Sequence, residues 1–184
     1  MPLIRCVKPN VTKEEAIRQF SGRGLSGALR QLVLGRLHSV AELYIPFRLF
    51  RVRITNDGMS DEKLVALDAI SGSLDLFQFN HIPDGAEMIS VETRNCPAAV
   101  ITDSVLTERV VAKLRRVLYS RGFFKMRDLQ LDALPLPNEL YIPYWIGFRG
   151  ADDHVRISAI DAVRRRPEGA KVRRLVEEWL AKKD

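Results

Sequence analysis

The sequence predicts an α+β protein made of two tandem copies of a helix packed on an antiparallel β-meander, with an amphipathic C-terminal helix after the second. Three observations predict it. Residues 42–46 and 139–143 both read ELYIP, and an aromatic follows each time, Phe47 or Tyr144. Lys63–Ile70 aligns with Arg156–Val163, with seven of eight pairs identical or conservative and only Val65 against Ser158 departing. Leu32, Leu34 and Leu37 match Leu129, Leu131 and Leu134 at the same 97-residue offset as ELYIP, and Arg23-Gly24-Leu25 matches Arg121-Gly122-Phe123. The offset falls to 93 at the Asp-Ala pair, so the second copy has a connection four residues shorter. Several ordered matches at a nearly constant offset point to duplication. The boundaries implied are 1–86 for copy one and 87–184 for copy two with its extra helix, the two packed by a pseudo-twofold.

The elements follow in order. Leu3–Val7 reads as a first strand. Thr12-Lys-Glu-Glu15 is a capping box, with Ala16, Ile17 and Phe20 at helical spacing behind it. Gly22 and Gly24 supply the positive φ that ends a helix. Strand-like runs then cover about 29–38, 43–54 and 63–70, with Thr55-Asn-Asp-Gly58 as a turn. A run near 87–94 opens copy two. Ser104 or Thr107 caps its helix, whose stripe is Val110, Val111, Leu114, Val117 and Leu118, and Gly122 stops it. Strands at about 128–134, 140–148 and 155–163 complete the copy, with Gly150-Ala-Asp-Asp153 as the shorter turn. Pro46 and Pro143 fall inside the middle runs, which implies an edge or a bulge there. Val172, Leu175, Val176, Trp179 and Leu180 mark the C-terminal helix.

Composition narrows the function. The 184 residues carry 29 basic and 23 acidic side chains, a net charge of +6, which favours acidic partners. No apolar run is long enough to span a bilayer, and MPLIRCVKPN lacks the apolar core of a secretory signal, so a cytoplasmic location is expected. Cys6 and Cys96 are too few for a disulfide scaffold or a zinc site and read as idle thiols.

The order of copy one resembles a PepSY domain. A helix opens as Thr12-Lys-Glu-Glu-Ala-Ile17, meander strands follow, and the last strand ends Leu67-Asp-Ala-Ile-Ser-Gly72. Copy two keeps Ile160-Asp-Ala-Val163 and replaces the turn by Arg164-Arg-Arg-Pro-Glu168. The resemblance implies a small helix-on-sheet fold used as a non-catalytic inhibitory or interaction unit.

Candidate chemistry is sparse. Gly22-Arg-Gly-Leu-Ser-Gly27 matches a dinucleotide-loop pattern but follows a helix, so it reads as a cap or loop. Asp152-Asp153-His154 reads as a solvated turn, and His38 and His81 have no ligand spacing. Asp68 and Asp161 end equivalent strands, where a carboxylate accepts backbone N–H groups and fixes a turn. An enzyme is the less favoured reading, and neither cofactor nor metal is expected. Arg164, Arg165, Arg166, Arg173 and Arg174 form the densest basic cluster, and Arg115, Arg116 and Arg121 a second; such clusters can bind phosphates. Tyr141, Tyr144 and Trp145 would add a stacking or docking platform if their strand faces solvent. The leading expectation is a non-enzymatic binding or interaction module with a protein partner. A nucleic-acid-binding accessory protein and a small-ligand binder or enzyme are the alternatives.

Overall fold

The computed structural model describes residues 1–22, 35–120, 128–150 and 155–182. Within them the chain is α+β, with three α-helices and eight strands in a mostly antiparallel sheet. In chain order these are β1 (Leu3–Val7), α1 (Lys13–Ser21), β2 (Leu37–Asn56), β3 (Met59–Asp68), β4 (Phe77–Phe79), β5 (Met88–Glu92), α2 (Asp103–Ser120), β6 (Gln130–Arg149), β7 (Arg156–Asp161), β8 (Arg166–Glu168) and α3 (Ala170–Leu180). The strand order is β4-β3-β2-β6-β1-β5, with β7 on β6 and β8 on β7. Among the described residues no helix is long and apolar enough to cross a membrane.

Two features of the strands differ from expectation. The predicted pairs of runs before each hairpin merge into single 20-residue strands, β2 and β6. Ser39-Val-Ala-Glu42 holds no turn pair, and Pro135 and Pro137 keep φ within the extended range, so nothing breaks either strand. Residues 29–34 of the first predicted run lie outside the described residues, as do Gly24 and the Gly122 stop.

Pro46 and Pro143 lie just beyond the paired ends of their hairpin ladders, on strands that are interior to the sheet. The β2–β3 ladder runs from Phe47↔Asp68 to Asn56↔Met59, and β6–β7 begins at Tyr144↔Asp161. The next pair on each ladder would be 46 with 69 and 143 with 162. Half of each bond pair is made: Ala69 N–H donates to Pro46 O at 2.9 Å, and Ala162 N–H to Pro143 O at 3.1 Å. The return donor is missing because proline has no N–H. The freed carbonyls are taken elsewhere. Ala69 O accepts from Val100 and Ile101 N–H at 2.9 and 3.1 Å, and Ala162 O accepts from Asn10 N–H at 2.7 Å. Each proline thus hands a strand carbonyl to the segment that enters a helix.

The chain divides into two compact units, neither continuous in sequence. One holds Met1–Ile45, Met88–Pro97 and Tyr141–Asp184; the other holds Pro46–Glu87 and Ala98–Leu140. The cuts fall inside ELYIP both times, after Ile45 and after Leu140. The units therefore do not follow the 1–86 and 87–184 division.

In the first unit, β1 pairs antiparallel with β5 from Leu3↔Glu92 to Val7↔Met88 and parallel with β6 at Cys6↔Tyr141. Helix α1 carries the predicted capping box: Thr12 Oγ1 accepts from Glu15 N–H at 3.2 Å, and Glu15 Oε2 from Thr12 N–H at 2.9 Å. Gly22 ends it at φ 73°, its N–H donating to Arg18 O at 3.1 Å. The helix buries Ala16 and Phe20 in a cluster with Trp145, Ile160 and Ala162, and Leu37 and Val40 of β2 pack against the same cluster. Gly147 makes room for this packing, because a Cβ there would lie 3.1 Å from the Phe20 ring. Helix α3 packs on β7 and β8 through Val172, Leu175 and Val176, with Trp179 half-buried.

In the second unit, the β2–β3 hairpin turns through Asp57 and Gly58, both at positive φ (53° and 76°). That pairing is what a two-residue turn matching strand twist requires. Phe50, Val52, Ile54, Val65 and Leu67 meet Leu106, Val110 and Leu114 of α2. Helix α2 starts at Asp103, ahead of both predicted caps. Thr107 lies inside the helix and its hydroxyl donates back to Asp103 O at 2.7 Å. Val117, predicted in the apolar stripe, is exposed.

Candidate binding surface

The arginine run is largely spent on the fold. Asp161 ends β7 fully buried. Its Oδ1 accepts from Val163 and Arg164 N–H at 2.9 and 2.7 Å, and its Oδ2 from Arg164 Nε at 2.6 Å. Glu168 on β8 accepts from Arg166 Nε at 3.0 Å and pairs with Arg164 at 3.4 Å. Arg165 has a left-handed backbone (φ 57°) and donates through Nε to Asn10 O at 2.8 Å. Arg174 pairs with Glu178 one turn on, at 2.7 Å, both exposed. Arg173 is exposed and forms no ion pair among the described residues. These residues are near one another in sequence, but they do not form a free cationic face.

The aromatic platform is not at the surface. Tyr144 and Trp145 are 1% and 6% exposed, and Trp145 Nε1 donates to Val11 O at 2.9 Å. Burial and the carboxylate of Asp161 push the Tyr144 hydroxyl well above its ordinary pKa. Tyr141 is half-buried against Ile4, Cys6 and Tyr44. The strand does not face solvent here: 142–147 are buried without a break.

Asp68, the counterpart of Asp161, is equally closed. Its Oδ1 accepts from Ser71 N–H, Ser71 Oγ and Gly72 N–H at 2.6, 2.9 and 2.9 Å, and its Oδ2 from Leu74 N–H at 2.9 Å. Both carboxylates serve as turn anchors, with their lone pairs directed at main-chain donors. Arg109 of α2 donates to Ser71 O, and Lys113 to Ser73 O at 3.0 Å, which clamps the same turn to the helix.

Arg149, at the end of β6, escaped sequence reading. It is 2% exposed and donates to Phe20 O and to Gly35 O, the latter at 3.1 Å. An arginine closing a strand before a glycine turn reads as solvated, so nothing in the sequence signalled its burial.

Two clefts open in the first unit, and Gln19 lines both. One, of about 340 Å³, runs over Phe20, Ile160, Glu168 and Arg173. The other, of about 460 Å³, is bordered by Glu15, Arg18, Gly22 and Arg165. In the second unit a shallow depression of about 500 Å³ lies on β3 and β4, with Arg51, Asp61, Glu62 and Lys63 at its edge.

Among the described residues no group of three or more His, Cys, Asp or Glu gathers to hold a metal ion. Asp152, Asp153 and His154 lie outside the described residues, as does 23–27 of the glycine pattern. His81 pairs with Glu87 at 2.8 Å. Cys6 is fully buried and its thiol is pushed up to about 11, first by desolvation and then by Glu42. In a Cys96→Ser variant, the remaining thiol is therefore expected to resist a thiol reagent at about pH 8 in the native state and to react at once in denaturant. Rapid native labelling would show that this core opens readily.

Compared with family models, with curated proteins and with solved structures, the chain finds no match in any of the three.

Proposed function

We propose that this chain is a non-catalytic binding module for a protein partner, built by duplication, in which the two copies exchange halves. The observation that carries the reading is the use of its ionisable groups. Asp68 and Asp161, at equivalent strand ends, spend their lone pairs on main-chain turns, and Arg164 and Arg166 are neutralised by Asp161 and Glu168. The chemistry-bearing residue types hold the scaffold, and the surface is left for recognition. The helix-then-meander order supports a PepSY-like ancestry for each copy.

Exchange is supported by reciprocal anchors. Asn10, before α1, bonds Ala162 after β7, and Val100, before α2, bonds Ala69 after β3. If the copies exchange, neither 1–86 nor 87–184 contains a whole core. Co-expressed, the two fragments are expected to purify together and melt as one cooperative unit. A fragment that folds alone as a monomer would overturn the exchange.

The functional reading is tested by immobilising the full chain, capturing from lysate at roughly 150 mM salt with cross-linking, and treating the sample with nuclease. A protein retained after nuclease supports it. Retention of nucleic acid alone would favour the accessory-protein alternative, which needs arginines free for phosphates.

A further inference from the structure

We infer that the paired clefts of the first unit form one groove for an acidic, extended peptide segment; the inference rests on the binding-module reading. The argument is charge. Gln19 lines both clefts, and each is open to solvent rather than closed. Arg18, Arg165 and Arg173 border it, all three exposed. Its acidic lining residues are Glu15 and Glu168, and both are already engaged. Glu15 accepts from Thr12 N–H in the capping box, and Glu168 pairs with Arg164 and Arg166. Glu14, which acts on Arg18 one turn away, does not line the groove among the described residues. The groove therefore presents Arg18 and Arg173 as its cations, with Arg165 held on Asn10 O, the two acidic lining residues held by their own partners, and Phe20 and Ile160 beneath.

A peptide suits this shape better than a nucleic-acid backbone. The combined clefts match the scale of a short side-chain-bearing segment. Stacking faces for bases are missing from the strand that was expected to supply them, since Tyr144 and Trp145 are buried. An extended segment with acidic and small apolar side chains in alternation turns all its carboxylates to one face, where Arg18 and Arg173 can pair with them, and its small residues to solvent.

The test is fluorescence anisotropy on the full chain with a labelled alternating Glu-Ala peptide, at roughly 50 and 200 mM salt. The Lys-Ala counterpart and oligothymidylate serve as comparison probes. The groove variant is Arg18→Gln/Arg173→Gln. The charge-matched comparison is Arg115→Gln/Arg116→Gln, on the exposed side of α2. Both variants must melt as the parent does. About a tenfold loss of Glu-Ala affinity in the groove variant, with less than about a twofold change in the α2 variant, is expected. Equal loss in both variants would reduce the effect to net charge and overturn the inference. So would no binding by the parent, or tighter binding of oligothymidylate. A partner captured equally well by parent and groove variant would overturn the groove while leaving the binding-module reading intact. Failure to retain any nuclease-resistant partner would remove the reading itself.

Discussion

Replacing Asp68 by alanine is expected to cost about 3–5 kcal/mol of folding stability, a large part of what a domain of this size possesses. The carboxylate is fully buried and accepts four hydrogen bonds, three of them from main-chain N–H groups within the turn that follows β3. Alanine strands those donors. Each buried orphan costs roughly 1–3 kcal/mol, and bonds to a charged acceptor lie at the upper end. Asp68→Asn should cost less, about 2–3 kcal/mol, because one oxygen still accepts while the amide nitrogen faces a donor. Asp161→Ala should also destabilise strongly, since it leaves Arg164 with Glu168 alone. Urea titrations of the three variants give the ranking. A loss below about 1 kcal/mol for Asp68→Ala would mean that solvent reaches the turn and takes over its donors.

The second large effect is expected at Arg149. Arg149→Met keeps most of the side-chain volume and removes the guanidinium from between Phe20 O and Gly35 O. Both carbonyls would lose a charged donor, and the expected cost is about 3–4 kcal/mol. Arg149→Lys should recover only part of this, because one ammonium cannot span two carbonyls held by a planar fork. Denaturant midpoints measure the cost. Hydrogen exchange across α1 locates it, with the last turn of the helix expected to lose protection first. Unchanged protection there would mean that Phe20 is held by its packing on Trp145 and Ile160 rather than by the arginine.

Much of the secondary structure was legible because it is set locally. The Thr12–Glu15 box, the Gly22 stop, the Asp57-Gly58 turn and the alternation of Phe50–Ile54 need only neighbouring residues to act. Helix α3 was legible for the same reason: Val172, Leu175 and Val176 recur at helical spacing and are buried. The roles of Asp68 and Asp161 could be read because an Asp after a strand has few better acceptors to be than that of its own turn.

The candidate surface was far less legible. Exposure belongs to a residue's surroundings, not to its type. Tyr144 and Trp145 were eligible for a platform until α1 arrived from elsewhere in the chain to cover Trp145. Arg164 and Arg166 pair with Glu168, four and two residues on, a pairing open to the sequence but not settled by it. Pro46 and Pro143 signalled an interrupted ladder. Only long-range bonds revealed that the interruption serves to hand Ala69 O to Val100 and Ala162 O to Asn10.

By itself the sequence determined where α1 begins and ends, which hairpin turns, which strand ends are pinned by a carboxylate, and that the chain carries a basic excess. These are short-range matters of dihedral preference, capping and charge. The tertiary structure decided which helix covers which hairpin. It also decided which aromatics see water, that Arg149 is buried, and that the compact units cut through both ELYIP segments. Burial and pairing across more than a hundred residues depend on closing long loops around shared apolar surface, and the gain from that closure is written in no single segment.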